Sequence, residues 1–375
     1  MKNSDVNIAI IGAGVVGLSI AAELSRFYRD IYVFEINRTY GLETSSRNSQ
    51  VVHAGIYYPP GSLKAVLCVE GKHLLYQLCE TYDINYRKTG KIMVASRSNE
   101  MESLENIYRL ATENGVDDLL LLSRSEIKAL EPDVEGKAGL LSPSTGIIDC
   151  YGLMAGLYKM AVEQGVKFVF NHEVKTIERV GDAYKVWVMD KHDCSLVMAE
   201  IVINSAGLGC DRLAHSAGIG IDSAGYRLHY CRGEYFSLNS HGRYCVERLV
   251  YPVPQTESLG IHVTPTLDGG IRLGPDARYV DDIDYSMDDS RKEVFYESVK
   301  RLLPSVRLDD LTPGFVGVRP KLQSLGEGFR DFLIAHEADK GLPGLINLIG
   351  IESPGLTASL AIARHVAAMV ADIAD

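Results

Sequence analysis

The chain has 375 residues, 46% of them hydrophobic, enough for two or three domains with sizeable cores. A formal charge of -11 argues against non-specific nucleic-acid binding, although one or two local arginines would still serve a small anionic substrate. The seven cysteines are odd in number and form no CxxC pair, which argues against a disulfide framework or a metal site and favours reduced, cytoplasmic thiols.

Residues 6–35 carry the first strong pattern. An apolar strand, Val6–Ile11, runs into Gly12-Ala13-Gly14-Val15-Val16-Gly17, then a helix to about Tyr28, then a strand from Ile31 to Phe34 ending in Glu35. This is a dinucleotide-binding unit. Gly12 permits the tight turn, Gly14 the approach of a pyrophosphate, and Gly17 the close packing of helix on strand. The helix N-terminus, at Val15 and Val16, offers N–H groups to phosphate. Glu35 lies eighteen residues past Gly17, where a carboxylate can accept from a ribose diol. A secretion signal is excluded because Asp5 and Asn7 precede the apolar run and the glycines break it.

A long polar loop follows over Arg38–Pro60, and then a helix over Leu63–Tyr82. Tyr86–Ala95 reads as a strand and Glu100–Glu113 as a helix stopped by Gly115. Ser123 and Glu126 make a capping box for a short helix ending before Pro132. Asp149 is placed to cap a helix over Gly152–Gln164. Strands are expected at Lys167–Phe170, Glu173–Arg179, Tyr184–Met189 and Ala199–Asn204, the last entering the glycine turn at Ala206 and Gly207. From Tyr226 to Leu273 the chain alternates like an antiparallel sheet. Asp289–Leu303 reads as a helix, Gly314–Pro320 and Asp331–Ala335 as a return to the first domain, Leu345–Ile349 as a buried strand, and Leu356–Ile373 as a closing helix. Arg364, His365 and Asp372 interrupt that helix, so no transmembrane segment is expected. The fold expected is α/β: a discontinuous Rossmann-like nucleotide domain (1–85, 146–225, 325–375) with an inserted α+β substrate domain (86–145, 226–324).

No second GxGxxG occurs, so the chain is either a nicotinamide enzyme with one site or a flavoenzyme reduced directly by its substrate. The long polar loop could follow an extended flavin. A helix opening at Gly355-Leu356-Thr357 could direct its N-terminus at the flavin edge that gains negative charge.

Several further motifs identify a family resemblance. Ser45–Ser49 with His53–Tyr58, Cys231–Tyr235, Tyr251–Pro254, Gly260–Pro265, Leu273–Pro275, Gly317–Pro320 and Glu352–Leu360 together resemble the FAD-dependent oxidoreductases of the D-amino-acid oxidase type, over essentially the whole chain. Within them the resemblance is strongest to the branch that oxidises L-2-hydroxyglutarate. It implies FAD, tethered or not, oxidation of a 2-hydroxy acid to a 2-oxo acid, and electron delivery to a quinone or other acceptor. It also implies a bacterial-type protein without a targeting segment, cytoplasmic or peripheral to the inner face of a membrane. Ser46, Arg47, Asn48, Gln50 and Val51 would line the cofactor, Val174 would make a backbone contact to adenine, and Ala206 and Gly207 would pass the pyrophosphate or ribityl chain. Gln50 departs from the family's usual glycine.

His53 is the expected base, since imidazole titrates near neutral pH, and His262 is its rival. Arg319, in the Arg-Pro motif, is the expected partner of the substrate carboxylate, because a guanidinium binds it bidentately. A second substrate carboxylate would need further donors, and Arg232, Lys321, Tyr57 and Tyr251 are candidates. Two other readings stay open: an amine or amino-acid oxidase of the same fold, and a flavin-binding subunit without a substrate of its own.

Overall fold

A computed structural model describes residues 4–239, 243–254 and 260–374. The chain forms two compact units, the first from Met1–Ser46, Cys150–His229 and Arg319–Asp375, the second from Arg47–Asp149 and Tyr230–Val318.

The first unit is built on a sheet whose parallel core runs Lys167–Phe170, Ile31–Glu35, Val6–Ile11, Cys194–Asn204, Leu345–Ile349. Glu173–Val180 and Ala183–Met189 extend it as an antiparallel ribbon against Cys194–Asn204, and Leu333–His336 pairs antiparallel with Leu345–Ile349. Strands covered on both faces read as near-continuous apolar runs, as in Ala9-Ile10-Ile11 and in Leu345–Ile349, which only Asn347 interrupts.

Helix Val15–Leu24 is buried over eight of its ten residues and packs against the helices Gly355–Ala374 and Cys150–Glu163. It stops at Leu24, four residues before the expected end, because the apolar residues beyond have nothing to cover: Phe27 is 65% exposed. Gly12 adopts φ +97°, and a Cβ there would lie 2.6 Å from the Ser205 carbonyl oxygen. At Gly17 a Cβ would lie 2.0 Å from the Gly12 carbonyl oxygen. The helix therefore rests directly on the backbone of the turn that precedes it.

The closing helix, Gly355–Ala374, is more apolar than its interrupting charges suggest. By length and hydropathy it could cross a membrane despite Arg364 and Asp372, since two charges in a long apolar window lower its mean hydropathy little. In this unit it is a core helix, with Ala358, Ala361, Ile362 and Val366 buried.

The second unit holds a sheet in the order Arg278–Val280, His229–Leu238, Ile271–Leu273, Val263–Pro265, Leu249–Pro252, Lys91–Ala95, Ala138–Ser142, Leu120–Ser123. Neighbours in this order are antiparallel except one pair: Leu249–Pro252 runs parallel to Lys91–Ala95. Leu311–Lys321 pairs with His229–Leu238, so the stretch expected to return to the first domain belongs here up to Val318.

Residues 47–85 also fall in the second unit, against the expected division. Val51–Val52 pairs with Gly146–Ile148, Lys72 Nζ donates to Ser144 Oγ (3.0 Å), and Tyr76 donates to the Ser144 carbonyl (2.9 Å). The strand expected over Tyr86–Ala95 is broken into Tyr86–Arg87 and Lys91–Ala95 by Gly90, which takes φ +75°. The capping box of Ser123 and Glu126 opens helix Arg124–Leu130 as expected.

Gly17→Ala should destabilise the apoprotein by about 3 kcal/mol or more, measured by chemical denaturation. The added methyl meets backbone that cannot move aside, which outweighs the roughly 1 kcal/mol that alanine gains over glycine in a helix.

Candidate active site

In the first unit the glycine turn and its neighbours form a cradle. Glu35 is buried at the end of its strand. Its Oε2 accepts from the Ala13 N–H (2.8 Å) and its Oε1 from the Asn37 N–H (2.9 Å). Gly14 is the N-cap of helix Val15–Leu24 and contributes no side chain; the Val15 N–H donates to Ser45 Oγ (2.9 Å). Thus Ser45, rather than Ser46, meets this helix end. Ser46 turns back on Glu43 and accepts from Tyr151 at its carbonyl (3.4 Å).

Ala206 and Gly207 follow strand Cys194–Asn204 beside the same turn, where Ser205 N donates to the Ile11 carbonyl (3.0 Å). A buried polar chain supports that strand end. Asn204 donates to Asn347 Oδ1 (2.8 Å), Asn347 donates to Glu337 Oε1 (2.8 Å), and Tyr226 donates to the same carboxylate (2.9 Å). Val174 is buried in the antiparallel ribbon, and Gly355, Leu356 and Thr357 form the first turn of the closing helix.

In the second unit, period-two alternation gathers a second group. Lys91 pairs with Leu249 and Met93 with Tyr251, while Ile92 and Val250 point to the opposite face and its apolar cluster. Val250 pairs with Val263, so His262 and Thr264 share the face of Tyr251 and Lys91. Tyr251 and His262 stack with centroids 3.5 Å apart and planes 8° apart. Lys91 Nζ lies 4.5 Å from the Tyr57 ring centroid and 5.1 Å from that of Tyr251. Lys91, Tyr251 and Thr264 are almost wholly buried. Tyr57 is half-buried, with its hydroxyl enclosed. No acceptor among the described residues hydrogen-bonds Lys91 Nζ or the Tyr57 hydroxyl, while the Thr264 side chain bonds Tyr251.

The electrostatics follow from burial without counter-charge. Lys91 is pushed from its ordinary 10.5 down to about 7. His53 is lowered to about 3, first by burial and then by the Lys91 charge, so its imidazole is neutral and open to a proton. Burial also raises the Tyr57 and Tyr251 phenols and pushes the Cys68 thiol up to about 12; that thiol donates to the His53 carbonyl (3.6 Å).

Of the expected residues, His53, Tyr57, Tyr251 and His262 therefore lie in one unit. Arg319 is half-buried on strand Leu311–Lys321. Two residues before it, at Gly317, a Cβ would lie 2.1 Å from the Arg47 carbonyl oxygen. Arg47 itself sits over the Tyr285 ring at 4.1 Å. Asn48 accepts from Arg272 at its carbonyl (3.3 Å) and from the Gln50 N–H at Oδ1 (2.8 Å). Gln50 takes φ +58°, which explains why glycine suits this position; its carbonyl accepts from Ile148 (2.9 Å), next to the paired Val51.

Two candidates for a second carboxylate are already engaged. Arg232 binds Glu234 and Asp284 with its side chain, and Lys321 faces Glu352 at 3.7 Å. Lys91 was missed by sequence reasoning because a lysine opening an apolar strand reads as a solvated end. The available signal was its alternation with Met93, a core position. A polar cleft of about 540 Å³, lined in part by Gln50, Arg87, Asp149, Asp268 and Arg272, lies in the same unit. No cluster with metal-ligand character occurs among the described residues.

Comparison with known proteins gives the family. Residues 7–369 match the family model described as DAO, FAD dependent oxidoreductase. The chain belongs to this family of FAD-dependent oxidoreductases. It is 38% identical to the mitochondrial L-2-hydroxyglutarate dehydrogenase of Arabidopsis thaliana, over 96% of this chain and 83% of that protein. It is 29% identical to a glycerol 3-phosphate dehydrogenase of Caloramator mitchellensis, over 98% of this chain and 74% of that protein. Among solved structures, the dithionite-reduced L-α-glycerophosphate oxidase of Mycoplasma pneumoniae with FAD bound superposes with TM-score 0.88 at 28% identity, covering 97% of this chain and 94% of that one. The protein is thus an enzyme that uses FAD, a substrate and an electron acceptor, and its α/β fold is that of these flavoenzymes. The cradle fits such a cofactor: backbone at Gly12 and Gly17 is packed too tightly for side chains, a bare glycine caps the helix, and an acid stands at the next strand end.

A buried lysine without counter-charge costs stability. Its depressed pKa means that the unfolded chain binds more protons between pH 7 and 10.5, so this residue's destabilising effect is fully present below about pH 7 and fades as pH rises through that window. Lys91→Met should stabilise the protein on the order of 4 kcal/mol at pH 7, with the gain over wild type shrinking toward pH 10; paired denaturant melts across that range measure it.

Proposed function

We propose that the enzyme oxidises a small 2-hydroxy acid, L-2-hydroxyglutarate best of all, to the 2-oxo acid, and passes the electrons to a quinone or another external acceptor. The observation that carries this reading is the gathering of a neutral imidazole, two tyrosines and an uncompensated buried lysine in a chain 38% identical to an L-2-hydroxyglutarate dehydrogenase. A cytoplasmic location, peripheral to a membrane where a quinone is the acceptor, goes with this proposal.

FAD, when bound, supplies the acceptor for two electrons and the hydrogen on C2 of the alcohol. Residues near the glycine turn would hold it: Gly12, Gly14, Val15, Val16 and Gly17 at the pyrophosphate, Glu35 at a ribose, and Val174, Ala206 and Gly207 along its length. Ser46, Arg47, Asn48, Gln50, Val51 and the Gly355–Thr357 helix start would complete the binding set. His53 would take the hydroxyl proton, and burial keeps it unprotonated over the whole physiological range before it does so. His262, stacked on Tyr251, would be held in place more rigidly and would orient the substrate. Arg319 would bind the carboxylate next to the reacting carbon.

The sharing of sequence with glycerol 3-phosphate enzymes favours a second reading, an alcohol bearing a phosphate in place of a carboxylate. Anaerobic titration decides between them. L-2-hydroxyglutarate should bleach the long-wavelength flavin band at lower concentration than sn-glycerol 3-phosphate, and the reverse order would favour the second reading. Bleaching by neither would end both. Arg319→Ala should raise KM roughly 100-fold and leave FAD bound; recovery of colourless protein would assign Arg319 to the cofactor instead. His53→Ala should lower kcat by about 10²–10⁴ with little change in KM.

A further inference from the structure

We infer that Lys91, packed against the ring of Tyr57, receives the second carboxylate of a dicarboxylic 2-hydroxy acid. The inference rests on the function proposed above and specifies what selects the substrate.

Three observations carry it. First, Lys91 is wholly buried, and neither its ammonium nor the hydroxyl of Tyr57 is hydrogen-bonded within the described residues. Buried polar atoms are nearly always satisfied, and an unpaired buried charge is among the costliest arrangements a fold can keep. Two such atoms on side chains packed against each other describe a receptor for an oxyanion.

Second, among the described residues no carboxylate balances Lys91. The one group whose charge would favour its protonated form is Cys68, whose thiol is held uncharged by burial. The faces of Tyr57 and Tyr251 solvate the ammonium in part without neutralising it. Third, other buried or half-buried cations of this unit are committed elsewhere. Lys72 donates to Ser144, Arg232 binds Glu234 and Asp284, and Arg272 donates to the Asn48 carbonyl.

A docked carboxylate would also act on His53. The Lys91 charge is one of the two causes that depress that imidazole, so pairing Lys91 with an anion makes His53 more basic. A dicarboxylate would thereby improve the base that acts on it, which a monocarboxylate could not do.

The test compares L-2-hydroxyglutarate with L-2-hydroxyvalerate, which has a methyl group where the second carboxylate stands. Lys91→Met in the FAD-loaded enzyme should cut the kcat/KM preference for the dicarboxylate by about 100-fold, and Lys91→Arg should restore part of it. Independently of turnover, the Kd for 2-oxoglutarate, read by calorimetry, should rise by a similar factor while that for 2-oxovalerate changes little. Tyr57→Phe should shift the same ratio about 5-fold, which keeps the test available should Lys91→Met fail to fold. A preference and a Kd ratio that stay near the wild-type values in the folded variants would overturn the inference while leaving the proposed function intact. Wild-type enzyme that ignores both acids and oxidises sn-glycerol 3-phosphate would overturn the function; if Lys91→Met then removed the preference for that substrate over glycerol, the carboxylate would be replaced by a phosphate as Lys91's partner.

Discussion

The first unit depends on one contact in which backbone lies on backbone. Helix Val15–Leu24 can sit where it does because nothing projects from Gly17 toward the Gly12 carbonyl, and Gly12 itself has no room beside Ser205. That seat fixes the height of the helix above strands Val6–Ile11 and Cys194–Asn204. It thereby fixes where the helix N-terminus, the Glu35 carboxylate and the Ala206–Gly207 turn stand relative to one another. The rest of the unit reinforces it. The closing helix covers the outer side of Val15–Leu24, and the buried chain Asn204–Asn347–Glu337–Tyr226 ties two parallel strand ends together with satisfied hydrogen bonds.

The second unit is organised by the opposite situation, a charge left without its complement. Most buried charge there is paired: Arg232 with Glu234 and Asp284, Arg248 with Glu131, Arg278 with Glu234. The face carrying Lys91, Tyr251 and His262 is different, with aromatic surfaces and a lysine but, among the described residues, no carboxylate bearing on that lysine. Such a face costs stability and keeps histidine neutral, both of which suit a site that must accept an anion and then a proton. The paired networks around it hold the sheet and leave that face free to be tuned for chemistry.

The sequence was most legible where local chemistry and tertiary demand coincide. The glycine fingerprint, helix Leu63–Tyr82 and the Ser123–Glu126 capping box are set by residues within a turn or two of one another, and each lies where the pattern places it. Legibility fell where partners are distant. Leu120–Ser123, Ala138–Ser142 and Gly146–Ile148 carry no turn signal as clear as their neighbours' and became strands through pairing across the sheet. The division of the chain shifted for the same reason: Val51–Val52 looks like part of the loop after Glu35 until Gly146–Ile148 lies beside it.

The sequence by itself determined the nucleotide-binding unit, the family and its cofactor, and several of the candidate residues, because spacing, residue type and shared motifs suffice for these. Only the tertiary structure decided that Lys91 is buried and stands against Tyr57 and Tyr251, that Arg232 and Lys321 are engaged elsewhere, and that Gln50 occupies a left-handed turn. The physical reason is that charge balance is a property of space. Whether a lysine is solvated, paired or left as a receptor depends on which side chains the sheet brings to the same face, and Lys91 and Tyr251 meet there from positions 160 residues apart.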